Sequence, residues 1–189
     1  TGEVWKARHS IMNRTVCIKF YRSVDKTGKA LSTFKQETSS LTALKEKEGR
    51  RVSADPRRFY IAEIYDADFD EESRLPYVVE ELVEGENLWN LVQEAGPLPE
   101  REVKHVGWQV AQALAYAHEK TQDSKESVVH RDLWAGNVVR RKDGVVKVVD
   151  FGCSLSENHP SLEGILAGAL SVKSPERIFT CDRQRLARQ

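Results

Sequence analysis

Apolar and polar positions first alternate with a period of two, the signature of a strand with one buried face. Val4-Trp5-Lys6-Ala7 and 15–20 flank an Asn13-Arg14 turn, which predicts a hairpin. The period then changes: Leu31, Phe34, Leu41 and Leu44 recur at helical spacing, with Glu37 near their face. Glu48-Gly49-Arg50-Arg51 and Pro56 end that helix. Two more strands are expected over 60–66 and 77–83, separated by the acidic turn Asp68-Phe69-Asp70-Glu71-Glu72. Beyond Gly85 the pattern is helical, with a short helix over 88–94 stopped by Gly96-Pro97. A long helix over 100–119 carries the stripe Val103, Val106, Val110, Ala113, Leu114 and Ala117. A polar loop leads to Val128-Val129-His130. The last hairpin, 138–140 and 145–149, turns at Asp143-Gly144, a dipeptide that supplies the positive φ a tight hairpin needs.

The order is a strand-rich half with one helix, then a mainly helical half with a small hairpin. Two lobes meeting near 83–85 leave a cleft between them, where small ligands bind. Of the 189 residues 40% are hydrophobic and 31% charged, a globular balance. Lys+Arg and Asp+Glu are both 29, so no global field draws nucleic acid or an anionic membrane. Cys17, Cys153 and Cys181 have no CxxC spacing and are expected as free thiols in a reducing compartment. No apolar run is long enough to span a membrane. A cytoplasmic domain is the expectation.

Phosphoryl transfer needs a cover for the phosphates, a cation to hold them, oxygen ligands for Mg²⁺ and a carboxylate facing the attacking hydroxyl. Asp132 stands in His130-Arg131-Asp132-Leu133, and Asn137 follows five residues later. Asp150 opens Asp150-Phe151-Gly152. A hairpin running from Asn137 to Asp150 returns two oxygen ligands to one place, and hard Mg²⁺ favours oxygen.

HRDLxxxN followed by DFG resembles the catalytic loop and metal motif of the protein kinase family. The resemblance spans the chain. Val16-Cys17-Ile18-Lys19 is similar to the VAIK strand, which makes Lys19 the residue on the α- and β-phosphates of ATP. Glu37 matches its helix partner. Gly2 and Val4 match the end of the glycine-rich loop, and Ser174-Pro175-Glu176 stands at the APE position.

The resemblance implies an α+β, bilobal protein-kinase-like fold. Its antiparallel β N-lobe with one helix covers 1–83, and a partial, mainly helical C-lobe covers 84–189. The first strand, the start of the glycine loop and the helices after the activation segment are expected to be missing. The resemblance implies ATP and Mg²⁺ as cofactors, Asp132 as catalytic base, and Asn137 and Asp150 as metal ligands. It also places Glu81 and Val83 at the hinge that meets adenine, Val4 and Cys17 as its roof, Val139 as its floor and Asn87 at the ribose. Glu80 then takes the gatekeeper position, where the family usually has an apolar side chain; it must be solvated or paired, or the register shifts by one. Arg131 is a residue that can receive a phosphorylated activation segment in the family. Ser154, Ser156, Ser161 and Ser171 are the serines available there.

Two positions depart from the serine/threonine pattern. Trp134 replaces the lysine two places after the HRD aspartate, and Ala169 replaces the threonine seven places before the APE glutamate. The implied activity is ATP-dependent phosphorylation of a protein hydroxyl, serine or threonine rather than tyrosine. Two alternatives remain at this level. One is a pseudokinase or scaffold; the other is a small-molecule kinase, because Asp132-Leu133-Trp134-Ala135-Gly136-Asn137 is similar to the D-L-W-x-G-N loop of such enzymes.

Overall fold

A computed structural model describes residues 3–11, 13–21, 55–73, 75–119 and 127–151, with the backbone of 155–156. The expected helix with Glu37, the glycine-loop residue Gly2 and the segment with Ala169 and Ser174-Pro175-Glu176 lie outside the described residues.

Strands β1 (Glu3–His9) and β2 (Arg14–Phe20) form the expected hairpin, with Asn13 at φ 52° in its turn. They join β3 (Ile64–Asp70) and β4 (Leu75–Glu81) in an antiparallel sheet of order β1-β2-β4-β3. Strands β3 and β4 correct the expected boundaries. The stretch 60–63 is not a strand: Pro56–Tyr60 forms a 3-10 turn, begun by Asp55, whose Oδ1 accepts the Arg57 N–H at 2.9 Å. Asp66, Asp68 and Asp70, read as turn or strand end, lie in the edge strand itself. There Asp66 and Asp68 face solvent, a placement that blunts an open sheet edge. The turn is Glu71–Ser73 instead, closed by the Ser73 N–H donating to Asp70 Oδ2 at 2.7 Å.

Beyond β4 come β5 (Gly85–Asn87), α1 (Leu88–Ala95) and α2 (Glu100–His118). Asn87 caps α1, its Oδ1 accepting from Asn90 N–H at 2.8 Å. After β6 (Val128–Val129) the chain enters β7 (Val138–Arg141) and β8 (Val146–Val148), which with β5 form a second sheet, β5-β7-β8. Gly144, at φ 83°, makes their turn as expected. Val128–Val129 pairs with β9 (Leu155–Ser156).

The buried face of α2 is rotated from the expected stripe. Ala113 and Ala117 are fully buried, but Val103 is 53% exposed and Gln109 takes a central place. Gln109 is buried because its amide is used at both ends. Its Oε1 accepts from Val146 N–H at 2.9 Å and its Nε2 donates to the Gly144 carbonyl at 3.3 Å, so α2 grips the β7–β8 hairpin. Ile61, Ile64, Val78, Ala113, Ala117, Val128, Val148 and Phe151 form one core. Residues from both sheets and α2 contribute to it, and that fixes the two sheets against each other. The fold is α+β with antiparallel sheets, as the sequence implied. Among the described residues, no helix is long and apolar enough to cross a membrane.

Candidate active site

Residues paired across antiparallel strands share a face. The pairs Val4↔Lys19, Lys6↔Cys17, Lys19↔Val78 and Cys17↔Glu80 therefore put Val4, Cys17, Lys19 and Glu80 on one side of the first sheet. Lys19 reaches from that face to Asp150, just beyond β8, and the two form an ion pair. Asp150 sits at φ 64° and Arg131 at φ 66°, left-handed conformations that non-glycine residues rarely hold. Both strained positions adjoin the candidate residues, where surrounding contacts hold such strain in place.

His130 joins the two loops. It is 2% exposed, its Nε2 bonds the Val149 carbonyl at 2.9 Å, and the Asp132 N–H donates to its Nδ1 at 3.3 Å. With Nδ1 accepting, Nε2 carries the hydrogen and the ring is neutral. Burial, the largest cause, pushes its pKa below the ordinary imidazole value and favours that state. The ring also packs on Phe151, centroids 4.5 Å apart. Nothing in the sequence reading gave His130 a role. Its position in the HRD tripeptide was the available signal.

Asn137, at the end of the 3-10 turn Ala135–Asn137, donates from Nδ2 to the Asp132 carbonyl at 2.8 Å and to Asp132 Oδ2 at 3.3 Å. Its own carbonyl accepts from Val149 N–H at 3.0 Å, one residue before Asp150. Asp132 Oδ1 is left buried with no hydrogen-bond partner among the described residues. A buried carboxylate oxygen in that state is costly unless a ligand donates to it.

Glu80 stands directly opposite Cys17 on this face, and the two side chains interact. Burial, then the nearby Asp150 charge, raises its pKa to about 7, against the lowering effect of Lys19. Cys17 is pushed up to about 11 by burial and by Glu80, so it stays a thiol near neutrality and not a nucleophile. Glu81 faces the other way. Its Oε2 takes the Lys147 ammonium at 2.7 Å, and Lys147, only 7% exposed, also donates to the Ile61 carbonyl at 3.3 Å. This pair ties the end of β4 to β8; the sequence reading passed over Lys147 because an alternating lysine reads as solvent-facing. A cleft of about 730 Å³ on that side, lined by Arg58, Phe59, Tyr65 and Lys147 among others, holds none of the phosphate-handling candidates.

The remaining candidates are distributed around these groups. Val83 is partly buried in the connector between the sheets, and Val139 pairs with Asn87 and Lys147. Asn87 spends its carbonyl oxygen on the α1 cap. The Glu81 N–H is used by the Glu63 carbonyl at 2.7 Å, so a base contact from its backbone falls to its carbonyl. Trp134 does not lie open beneath a substrate. Its indole covers Gly136, where an added Cβ would come within 2.3 Å of it, and stands 5.9 Å from the Trp89 ring of α1.

The family model described as "Protein kinase domain" matches residues 1–187. The chain belongs to the protein kinase domain family. A probable serine/threonine-protein kinase of Clostridium perfringens is 29% identical over 177 residues, 92% of this chain and 23% of the relative. The probable serine/threonine-protein kinase PknB of Bifidobacterium longum is 30% identical over 152 residues, 80% of this chain and 20% of the relative. A putative sperm motility kinase W of Mus musculus is 32% identical over 102 residues, 54% of this chain. The chain thus spans about a quarter or less of the length of these curated relatives.

Proposed function

We propose that the chain carries the nucleotide site and catalytic loop of an ATP-dependent protein kinase that phosphorylates serine or threonine hydroxyls. One observation carries the reading: Asp132 is oriented by Asn137 through Oδ2, while its buried Oδ1 has no partner among the described residues. An attacking hydroxyl is the group that would donate there, and an aligned carboxylate is what such a transfer requires. The serine/threonine preference is supported by the names of the bacterial relatives.

The site's own residues suit Mg²⁺ and ATP. Asn137 and Asp150 offer hard oxygens, and Lys19 beside them offers a point charge for phosphate. Bound Mg²⁺ and ATP would supply the phosphoryl group and neutralise its charge. The protein's part is to hold Asp132, to shift Lys19 from Asp150 to phosphate, and to keep His130 neutral between the two loops. Val4, Cys17 and Val139 would enclose the base, with Glu81, Val83 and Asn87 along its edge; Glu37 and Gly2 complete the proposed set. Residues 1–83 and 84–189 are the proposed lobes.

The test is a phosphotransfer assay on the full chain with generic protein substrates, run beside sugars and aminoglycosides, with Asp132→Asn as control. Label entering protein serine or threonine, and lost in the control, supports the reading. Label entering only the small molecules, or none at all with nucleotide bound, overturns it.

A further inference from the structure

We propose that the cleft beside Lys147 is a binding site for a small aromatic carboxylate, separate from the nucleotide site. The cleft measures about 730 Å³, inside the range of about 300–1,000 Å³ typical of small-ligand sites. Lys19, Asp132, Asn137 and Asp150 are all absent from its lining. Neighbouring strand residues point to opposite faces, so the Glu81 side chain lines this cleft while Glu80 lies on the face of Lys19. Nothing in the site depends on nucleotide chemistry on that other face.

The charges of the lining leave one cation over. Asp55 pairs with Arg57 at 2.6 Å, Glu63 with Arg58 at 3.2 Å and Glu81 with Lys147 at 2.7 Å. Arg141 lines the cleft too, but its ion pair is with Asp143 at 2.8 Å, outside the lining, and both side chains are 36% or more exposed. A pair so exposed contributes little and is readily exchanged. The freed guanidinium is a planar fork that takes a carboxylate through two parallel N–H donors. A second donor is buried nearby. Lys147 is 7% exposed, and among the described residues its ammonium gives two hydrogen bonds, to Glu81 Oε2 and to the Ile61 carbonyl. It has three hydrogens to give.

The apolar part of the lining is aromatic. Phe59 is 66% exposed there, and the Lys147 ammonium lies 5.6 Å from its ring centroid. Tyr65 lines the cleft as well, with the Arg14 guanidinium 3.3 Å from its own centroid. A flat ring stacked on Phe59 takes that surface out of water while its carboxylate meets Arg141. One unbalanced cation suits a monoanion. A dianionic phosphate would bring a second charge among the lining carboxylates with no countercharge to meet it.

The experiment titrates the full chain with indole-3-acetate, a two-ring monocarboxylate, and with indole-3-acetamide, which keeps the rings and loses the charge. Dissociation constants are measured for wild type, Phe59→Ala and Arg141→Gln, each first shown to unfold cooperatively, and for wild type again with ATP and Mg²⁺ present. Wild type is expected to bind the acid saturably, about 10-fold or more tighter than the amide, and equally well with ATP present. The constant for the acid is expected to rise about 10-fold or more in Arg141→Gln and about 5-fold or more in Phe59→Ala. No saturable binding, equal affinity for acid and amide, or either folded variant within about twofold of wild type overturns the inference. So does displacement by ATP, which would put the ligand in the nucleotide site instead.

Discussion

Asn137 donates from one amide nitrogen to both the backbone carbonyl and the carboxylate of Asp132. The bond holds the Oδ2 side of the carboxylate to its own loop and leaves Oδ1 buried with no partner among the described residues. Asn137→Ala removes both contacts. The expected result is a fall in phosphotransfer of about 10²–10⁴-fold, the range a positioned proton acceptor contributes. Nucleotide affinity measured without Mg²⁺ should change far less, and an equal loss of both would count against an orienting role.

Lys147 and Glu81 make the tie between β4 and β8. Glu81→Gln leaves the Lys147 ammonium buried with the Ile61 carbonyl and no countercharge. Stability should drop by about 3 kcal/mol, as when one partner of a buried pair is removed. Adding Lys147→Met to Glu81→Gln should restore much of it. Urea unfolding of the two variants decides, and an additive further loss would sink the idea.

Stability should carry two opposed pH limbs. The folded Glu80 carboxyl holds its proton to about pH 7, against 4.5 ordinarily, so the fold binds more protons across that window and loses stability as pH rises through it. His130 is lowered, so the unfolded chain binds more protons and stability is lost as pH falls below the ordinary 6.5. Glu80→Gln removes only the first limb. Its advantage over wild type should grow from pH 5 to pH 8, with a ceiling on the order of 3 kcal/mol. Parallel curves for the two proteins would show that burial of the carboxyl has no such cost.

Two glycines should respond with opposite sign. A Cβ on Gly85 would meet the Arg140 carbonyl oxygen at 2.2 Å, backbone against backbone in the β5–β7 ladder. Gly85→Ala should cost about 1–3 kcal/mol. Gly107, inside α2, has open space where its Cβ would stand, so Gly107→Ala should raise stability by about 0.5–1 kcal/mol. Thermal melting of the pair checks both.

Trp134 rests on Gly136 beside Trp89, at the place where serine/threonine kinases carry a lysine. Trp134→Lys with Ala169→Thr should raise phosphotransfer to protein hydroxyls. Unchanged rates in the folded double variant would mean that the missing polar pair does not limit the reaction.

Strands and turns with strong local chemistry were legible in the sequence. The Asn13 and Gly144 turns need positive φ, and the residues there supply it. The motif positions Lys19, Asp132, Asn137 and Asp150 stood out in the sequence, and the structure links Lys19 to Asp150 and Asn137 to Asp132. Polar residues with non-local partners were misread. Asp68 and Asp70 looked like turn residues because edge position is invisible in sequence. Gln109 stood outside the expected apolar stripe, because its partners, Val146 and Gly144, arrive from more than thirty residues away. Lys147 was hidden in the same way: only Glu81, far earlier in the chain, makes its burial affordable.

The stretch from Asp55 to Ala62 precedes β3 in sequence but bonds to the lower half. Arg57 pairs with Glu119 just past α2, Ile61 bridges Val148, and the Ala62 N–H donates to the Val148 carbonyl at 2.9 Å. The β3–β4 hairpin is therefore tied to β8 at both of its ends, through the Ala62–Val148 bond just before it and the Glu81–Lys147 pair at its close. A strand of three residues thus clasps the open end of that hairpin, and Asp150 follows the clasp two residues later. A substitution that loosens β8 should be felt at both ends of the hairpin at once.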